Sequence, residues 1–232
     1  SKHFKNLKMF VIEAQSQGLI INPQLKLFSV KTEETSAIYL NDEEIKKFHE
    51  IDLSKSKYIE LSRDIFLMGC YTGQRISDYN GLSIDDVVEI EGVKYFKIIQ
   101  NKTKQVVYCP LTVEMKEIMS RYGDCPPPSQ NECTINANIK IIGKLLEIDQ
   151  RTKCQITRAG KREVSYVPKY KLIHSHTARR SFCTNKYKQG MRITDIMHFS
   201  GHKTEREFQK YIRIQGEERT NYIVGQGYFN IK

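Results

Sequence analysis

HTARRSFCTNKYKQGMRITDIMHFSGHKTEREFQKY, residues 176–211, decides how the rest of the chain is read. His176 and Arg179 stand three apart and so share one face of a helix. That helix breaks at Gly190, a residue suited to the position just past a helix end. An apolar segment follows from Ile193 to Phe199, Ser200-Gly201-His202 makes a turn, and a charged helix carries Tyr211. Two histidines, an arginine and a tyrosine gathered in this way point to phosphate chemistry with a tyrosine nucleophile.

Direct attack on a phosphodiester needs a nucleophile, cations on the non-bridging oxygens, a proton acceptor and a proton donor for the leaving oxygen. Tyr211 is the candidate nucleophile, and a phenol of pKa near ~10 needs help to lose its proton. Arg75 and Arg179 are the candidate clamps, since a guanidinium donates two parallel hydrogen bonds and stays charged. His176 is placed to take the phenol proton and His202 to donate to a non-bridging oxygen. Lys102, on a turn between two strands, is a mobile ammonium for the leaving oxygen, with Lys104 as its competitor. Taken singly, each has an ordinary explanation: a half-buried aromatic, a surface ion pair of Arg75 with Asp78, a solvated hairpin charge, a turn histidine bonded to backbone.

Working outward, residues 2–17 pattern as one amphipathic helix, with Phe4, Leu7, Met9, Phe10, Ile12 and Ala14 between lysines. Such a helix has nothing to pack on within its own segment, and residues 1–22 read as the end of a preceding domain. Residues 23–38 read as an extended connector. Asn41 and Glu44 form a cap pair opening a helix from Asp42 to about His49. The next helix, near 56–71, carries Leu61, Ile65 and Met68 on one stripe and ends at Thr72-Gly73. From Val87 to Cys109 the pattern changes to three strands, VVEI, VKYFKII and VVYC, split by Glu91-Gly92 and by residues 101–104. Helices over 112–122 and 134–148 follow, then a charged hairpin over 154–167 turning at Ala159-Gly160. The class is mainly α with one small three-stranded antiparallel sheet. The unit bearing the chemistry runs over 39–218, and residues 219–232 form a tail with Ile223, Tyr228 and Phe229.

The net charge of +10 is unevenly placed. Residues 151–192 hold twelve Lys or Arg against one acid, Glu163, whereas residues 40–92 hold twelve acids against six bases. A basic block of this kind favours a polyanion such as double-stranded DNA. Arg158, Lys161, Arg162 and Arg180 in that block, with Lys104 on the strand turn, are the candidate phosphate contacts. No apolar run reaches the ~18 residues of a membrane span, which gives no reason to expect a membrane partner. The six cysteines show no CxxC and read as thiols of a reducing compartment. His174 with His176 matches no common zinc spacing, and Gly225-Gln226-Gly227 lacks the strand–helix setting of a phosphate loop.

The order TGQRISD, strand–NKT–strand–PL, HTARRSF, and SGH with a tyrosine nine residues on resembles the tyrosine recombinases, or phage-integrase family, over about Tyr39 to Ile214. The resemblance implies an active site of Arg75, Lys102, His176, Arg179, His202 and Tyr211, with Lys102 preferred because the family places its lysine just after the second strand. Asp78 stands where the family usually has a glutamate, and Ala178 replaces a commoner leucine, a change also found among mobile-element integrases. The implied reaction is DNA cleavage and rejoining through a 3′-phosphotyrosyl link, which needs neither metal nor ATP. The implied setting is a homo-tetramer on paired DNA sites, with accessory DNA-bending proteins, in the bacterial cytoplasm at the nucleoid. The helix at 2–17 resembles the last helix of the family's core-binding domain, and the tail the segment that docks on a neighbouring protomer. A type IB topoisomerase uses nearly the same residues to nick and reseal one duplex. A DNA-binding regulator that has lost catalysis would keep the basic block without the covalent step, and a metal-dependent nuclease would be stopped by a chelator.

Overall fold

The computed structural model describes residues 2–22, 24, 37–158, 161–214, 216–225 and 227, without the side chains of 2, 155–158, 161, 162 and 218. They fall into two compact units, one drawn from 1–36 and 153–165, the other from 37–152 and 166–232. The smaller contains α1 (Lys2–Ser16) and most of a two-stranded hairpin, β4 (Arg151–Arg158) with β5 (Lys161–Pro168). On α1, Phe4, Leu7, Met9, Phe10 and Ile12 are each at least half exposed. The hairpin is longer than the expected 154–167. Its turn, most of the connector 23–38, and residues 228–232 of the tail lie outside the described residues. Ile38, expected in the connector, is buried in the core of the larger unit.

The larger unit is built on α3 (Lys57–Thr72), which is buried on nearly every side from Ser62 onward and so behaves as a core helix. α2 (Asp42–Glu50) opens on the expected Asn41–Glu44 capping box and packs Phe48 against Phe66 of α3. The short α4 (Ile76–Tyr79) follows α3 directly, and α5 (Val113–Ser120) and α6 (Glu132–Leu145) complete the first layer. Strands β1 (Val87–Ile90), β2 (Val93–Ile99) and β3 (Val106–Pro110) form an antiparallel meander. Its period-2 pattern puts Phe96, Ile98, Val107 and Cys109 into the core. The register Ile99↔Val106 leaves residues 100–105 as the connecting turn. Gln100 closes that turn, donating its N–H to Gln105 O at 2.9 Å and accepting from Lys104 N at 2.8 Å.

α7 (Ser175–Lys188) packs along α3 and is followed by α8 (Ile193–Ser200) and α9 (Glu205–Gln209). A second, smaller cluster of Phe182, Cys183, Ile196 and Phe208 joins these helices, with Tyr211 at its margin. α10 (Gly216–Gly225) covers the start of the tail; Tyr222 donates its hydroxyl to Tyr187 O of α7 at 3.1 Å, a contact within the chain.

Candidate active site

Two helix ends and one helix face deliver the chemistry. α3 stops at Gly73, whose φ of 69° is left-handed and whose N–H reaches Gly69 O at 3.0 Å. A Cβ there would strike the Phe182 ring, so only glycine turns the chain this close to α7. Arg75 then sits at the N-cap of α4. α8 ends in the same way at Gly201, φ 65°, which delivers His202. His176 and Arg179 share the α7 face turned to both ends.

Arg179 is fully buried. Its Nη1 donates to Gly73 O at 3.0 Å, so the carbonyl end of α3 holds the charge. Its Nη2 donates to His202 Nε2 at 3.2 Å, and its carbon lies 5.5 Å from the centroid of the Tyr211 ring. An arginine can only donate, so His202 Nε2 is the acceptor and its proton is on Nδ1. Nδ1–H then donates to Ser200 Oγ at 2.8 Å, and that hydroxyl donates to Ile196 O at 2.7 Å. His202 therefore accepts where the sequence suggested a donor. Burial, with Arg179 and Arg75 beside it, pulls its pKa down to about 3.

The Tyr211 hydroxyl lies 2.8 Å from His176 Nε2. Burial and the surrounding guanidiniums lower the His176 pKa to about 4, so the ring is neutral near pH 7 and free to accept the phenol proton. The backbone at and beyond Tyr211 is latched to α7 by Thr184, whose hydroxyl donates to Tyr211 O at 3.1 Å and accepts from Arg213 N at 3.3 Å. Arg75 and His176 line one cavity of about 390 Å³. Arg75 Nη1 and Arg179 Nε are buried without a hydrogen-bond partner among the described residues. Two guanidinium donors held out of water without acceptors suit a bound anion.

Asp78 lies 3.9 Å from Arg75, close enough for charge but too far for a hydrogen bond. Its Oδ1 instead accepts from Asn101 N at 2.9 Å, and Asn101 Nδ2 donates to Ser77 O at 2.6 Å. The acid thus ties α4 to the β2–β3 turn. Lys102 and Lys104 are both exposed on that turn, Lys104 with a left-handed φ of 58°. The six expected residues therefore divide: Arg75, His176, Arg179, His202 and Tyr211 converge, and Lys102 stands on the adjoining turn. Arg180 is half-buried, with its guanidinium 3.2 Å from His174 Nε2. The side chains of Arg158, Lys161 and Arg162 lie outside the described residues. Sequence reasoning passed over Thr184, Ser200, Gln74 and Gln100, all fully buried polar residues that fasten these parts. No spacing marks them, and each residue type is most often exposed.

The phage integrase family model matches residues 39–218. A tyrosine recombinase of Pseudothermotoga lettingae is 24% identical over 186 residues, covering 80% of this chain and 59% of that protein. The chain thus spans less than two thirds of that relative's length. Among solved structures, lambda integrase 75–356, a dimer bound to a COC′ core site, has a TM-score of 0.65 at 17% identity, over 92% of this chain and 72% of that one. The Tn1549 transposon integrase with a circular intermediate DNA gives 0.63 at 15%, over 96% and 77%. XerA recombinase gives 0.59 at 18%, over 98% and 75%. At these identities the likeness is one of fold. With the family model matching well over half of its length and the arginines, histidines and tyrosine meeting in one site, the chain belongs to the phage integrase family.

Proposed function

We propose that this chain carries the catalytic domain of a site-specific DNA recombinase of the mobile-element integrase kind, acting on double-stranded DNA as a tetramer on paired sites. The observation that carries the reading is the 2.8 Å contact of Tyr211 with a neutral His176, beside two arginines that each keep one buried N–H without a partner among the described residues. Tyr211 Oη attacks the scissile phosphorus and gives its proton to His176. Arg75 and Arg179 take the charge developing on the non-bridging oxygens. Burial is the larger part of what keeps His202 neutral and the guanidinium charge the smaller; a phosphate beside Arg179 offsets the smaller part and its own negative charge favours the protonated, donating ring. The bond to the 5′ oxygen breaks, Lys102 protonates that oxygen, and a 3′-phosphotyrosyl link remains. The 5′ hydroxyl of a partner strand then attacks the link and gives its proton to Lys102, while His176 returns the proton it took to the departing phenolate. One ester replaces another, so the phosphodiester's energy is conserved and nothing in the cycle calls for ATP or a metal.

The basic block at 151–192, with Lys104 and Arg180, tracks phosphates; residues 1–22 belong to a preceding DNA-clamping domain, joined by 23–38 to the unit at 39–218. Residues 219–232 dock on a neighbouring protomer in the assembled complex, displacing the Tyr222 contact on α7. The enzyme works in the bacterial cytoplasm on nucleoid DNA, with DNA-bending helpers.

A nicked DNA that sheds the short fragment bearing the freed 5′ hydroxyl traps the covalent complex. Wild type should give a shifted band on a denaturing gel, and Tyr211→Phe none. A shift that persists in Tyr211→Phe overturns the assignment. Joining of strands between two labelled duplexes, and not only resealing of one, distinguishes a recombinase from a topoisomerase.

A further inference from the structure

Three catalytic segments, 72–75, 100–103 and 199–202, meet at two side chains that touch neither Tyr211 nor His176 among the described residues. Gln74 and Gln100 are both fully buried. Gln100 Nε2 donates to Gln74 Oε1 at 2.7 Å. Gln74 Nε2 donates to Phe199 O at 2.6 Å and to Thr72 O at 3.1 Å. Gln100 Oε1 accepts from Thr103 Oγ1 at 2.5 Å. The amide orientations follow from these partners. Gln74 faces two carbonyls and must turn its nitrogen to them, so its oxygen meets Gln100 and Gln100 must present nitrogen there. A Cβ on Gly201 would collide with the Gln100 amide, so the end of α8 is also packed against the pair.

We infer that the Gln74–Gln100 amide pair is the positioning device that holds the Lys102 turn in register with Arg75 and His202. The inference rests on the strand-exchange reading above, in which Lys102 protonates the leaving oxygen. Arg75 is set by the backbone of α3 and α4, and Arg179 by Gly73 O. The turn is fastened through side chains instead. Beyond its own closing bonds it is held by Asn101 to Asp78 and Ser77, and by the side chain of Gln100, its first residue. Thr103, next to Lys102, passes the anchorage outward. Loosening the pair therefore acts on the leaving-group step, while attack by Tyr211 and binding of the phosphate are left in place.

That step has its own readout. DNA with sulfur in place of the bridging 5′ oxygen leaves as a thiolate and needs little protonation. Gln100→Met should slow cleavage of ordinary DNA on the order of tenfold to a hundredfold, as for a modest misplacement of a catalytic group, and cleave the sulfur substrate at the wild-type rate. Gln74→Met should do the same. The double variant should be no slower in the sulfur-rescued step than the worse single one, because both singles already remove the shared Gln74–Gln100 bond. It also takes their amide partners from the Phe199 carbonyl and the Thr103 hydroxyl, so its melting temperature should fall, and the sulfur substrate separates this loss of stability from the leaving-group defect. Thr103→Val, at a half-buried site, gives a milder version of the same sulfur-rescued defect. The inference is overturned if Gln100→Met cleaves ordinary DNA normally, or slows both substrates alike. Lys102→Ala is the control. If its defect is rescued by sulfur and that of Gln100→Met is not, the inference alone fails. If Lys102→Ala slows both substrates equally, the role of Lys102 fails and the inference with it.

Discussion

Three histidines in and beside the site are kept neutral by their surroundings. His174 and His176 are pulled down to about 4 and His202 to about 3, burial being the largest cause for each. In the unfolded chain they return to about 6.5. Between roughly pH 7 and 4 the unfolded state therefore binds protons that the folded state refuses. Linkage makes stability complete above that window and lowers it as the pH falls through it. Melting temperatures measured from pH 7 to 5 should drop, and drop less in His202→Asn, which removes the most depressed of the three. Equal slopes in both proteins would count against this electrostatic picture. The residues of the candidate site were legible because their types and order are unusual together. The contacts that orient them were not: nothing in the spacing of HFSGH tells that Ser200 fixes the His202 tautomer, since that needs Arg179 on the other nitrogen.

At the scale of elements, the strand and helix periods in the sequence agree with the structure at β1, β2, β3, α2 and α3. Some boundaries differ because a cap residue was passed over. α6, for example, starts at Glu132 on an Asn131 cap instead of near Thr134. The helix ends matter most to function. Gly73→Ala forces a side chain into the left-handed region and against Phe182, and should cost about 1–3 kcal/mol of stability. Denaturant unfolding checks this, and an unchanged midpoint would contradict it. The α7 latch makes a separate prediction. Thr184→Val removes both bonds to the nucleophile's backbone and should slow covalent attachment about tenfold or more by misplacing the phenol. Thr184→Ser should restore the rate. Here ordinary and sulfur-substituted DNA should be slowed alike, because attack and not departure is affected; rescue by sulfur would contradict the assignment.

For the molecule as a whole, charge was legible from composition, but its geometry was not. The block at 151–192 reads as one basic stretch, yet the structure divides it: 153–165 clusters with the N-terminal unit, while Arg179 is fully buried in the larger one. A buried guanidinium that holds a helix end and faces the Tyr211 ring is not a solvated surface charge. DNA binding should still weaken steeply with salt, the logarithm of affinity falling by ~0.9 per phosphate neutralised for each unit of log salt. A nearly flat salt dependence in a filter or anisotropy titration would remove the case for the block as a phosphate track. Removal of residues 219–232 should impair assembly on paired DNA sites more than single-strand cleavage, as seen by comparing complex formation with adduct yield. Equal loss of both would place the tail inside its own fold.

The central claim is that the phenol of Tyr211 becomes bonded to phosphorus. Protease digestion of the trapped protein–DNA complex, followed by nuclease trimming and mass spectrometry, reads this directly. The expected product is the peptide spanning Tyr211 carrying a 3′-linked nucleotide on that tyrosine. A nucleotide found on any other residue, or cleaved DNA with no peptide attached, would contradict it.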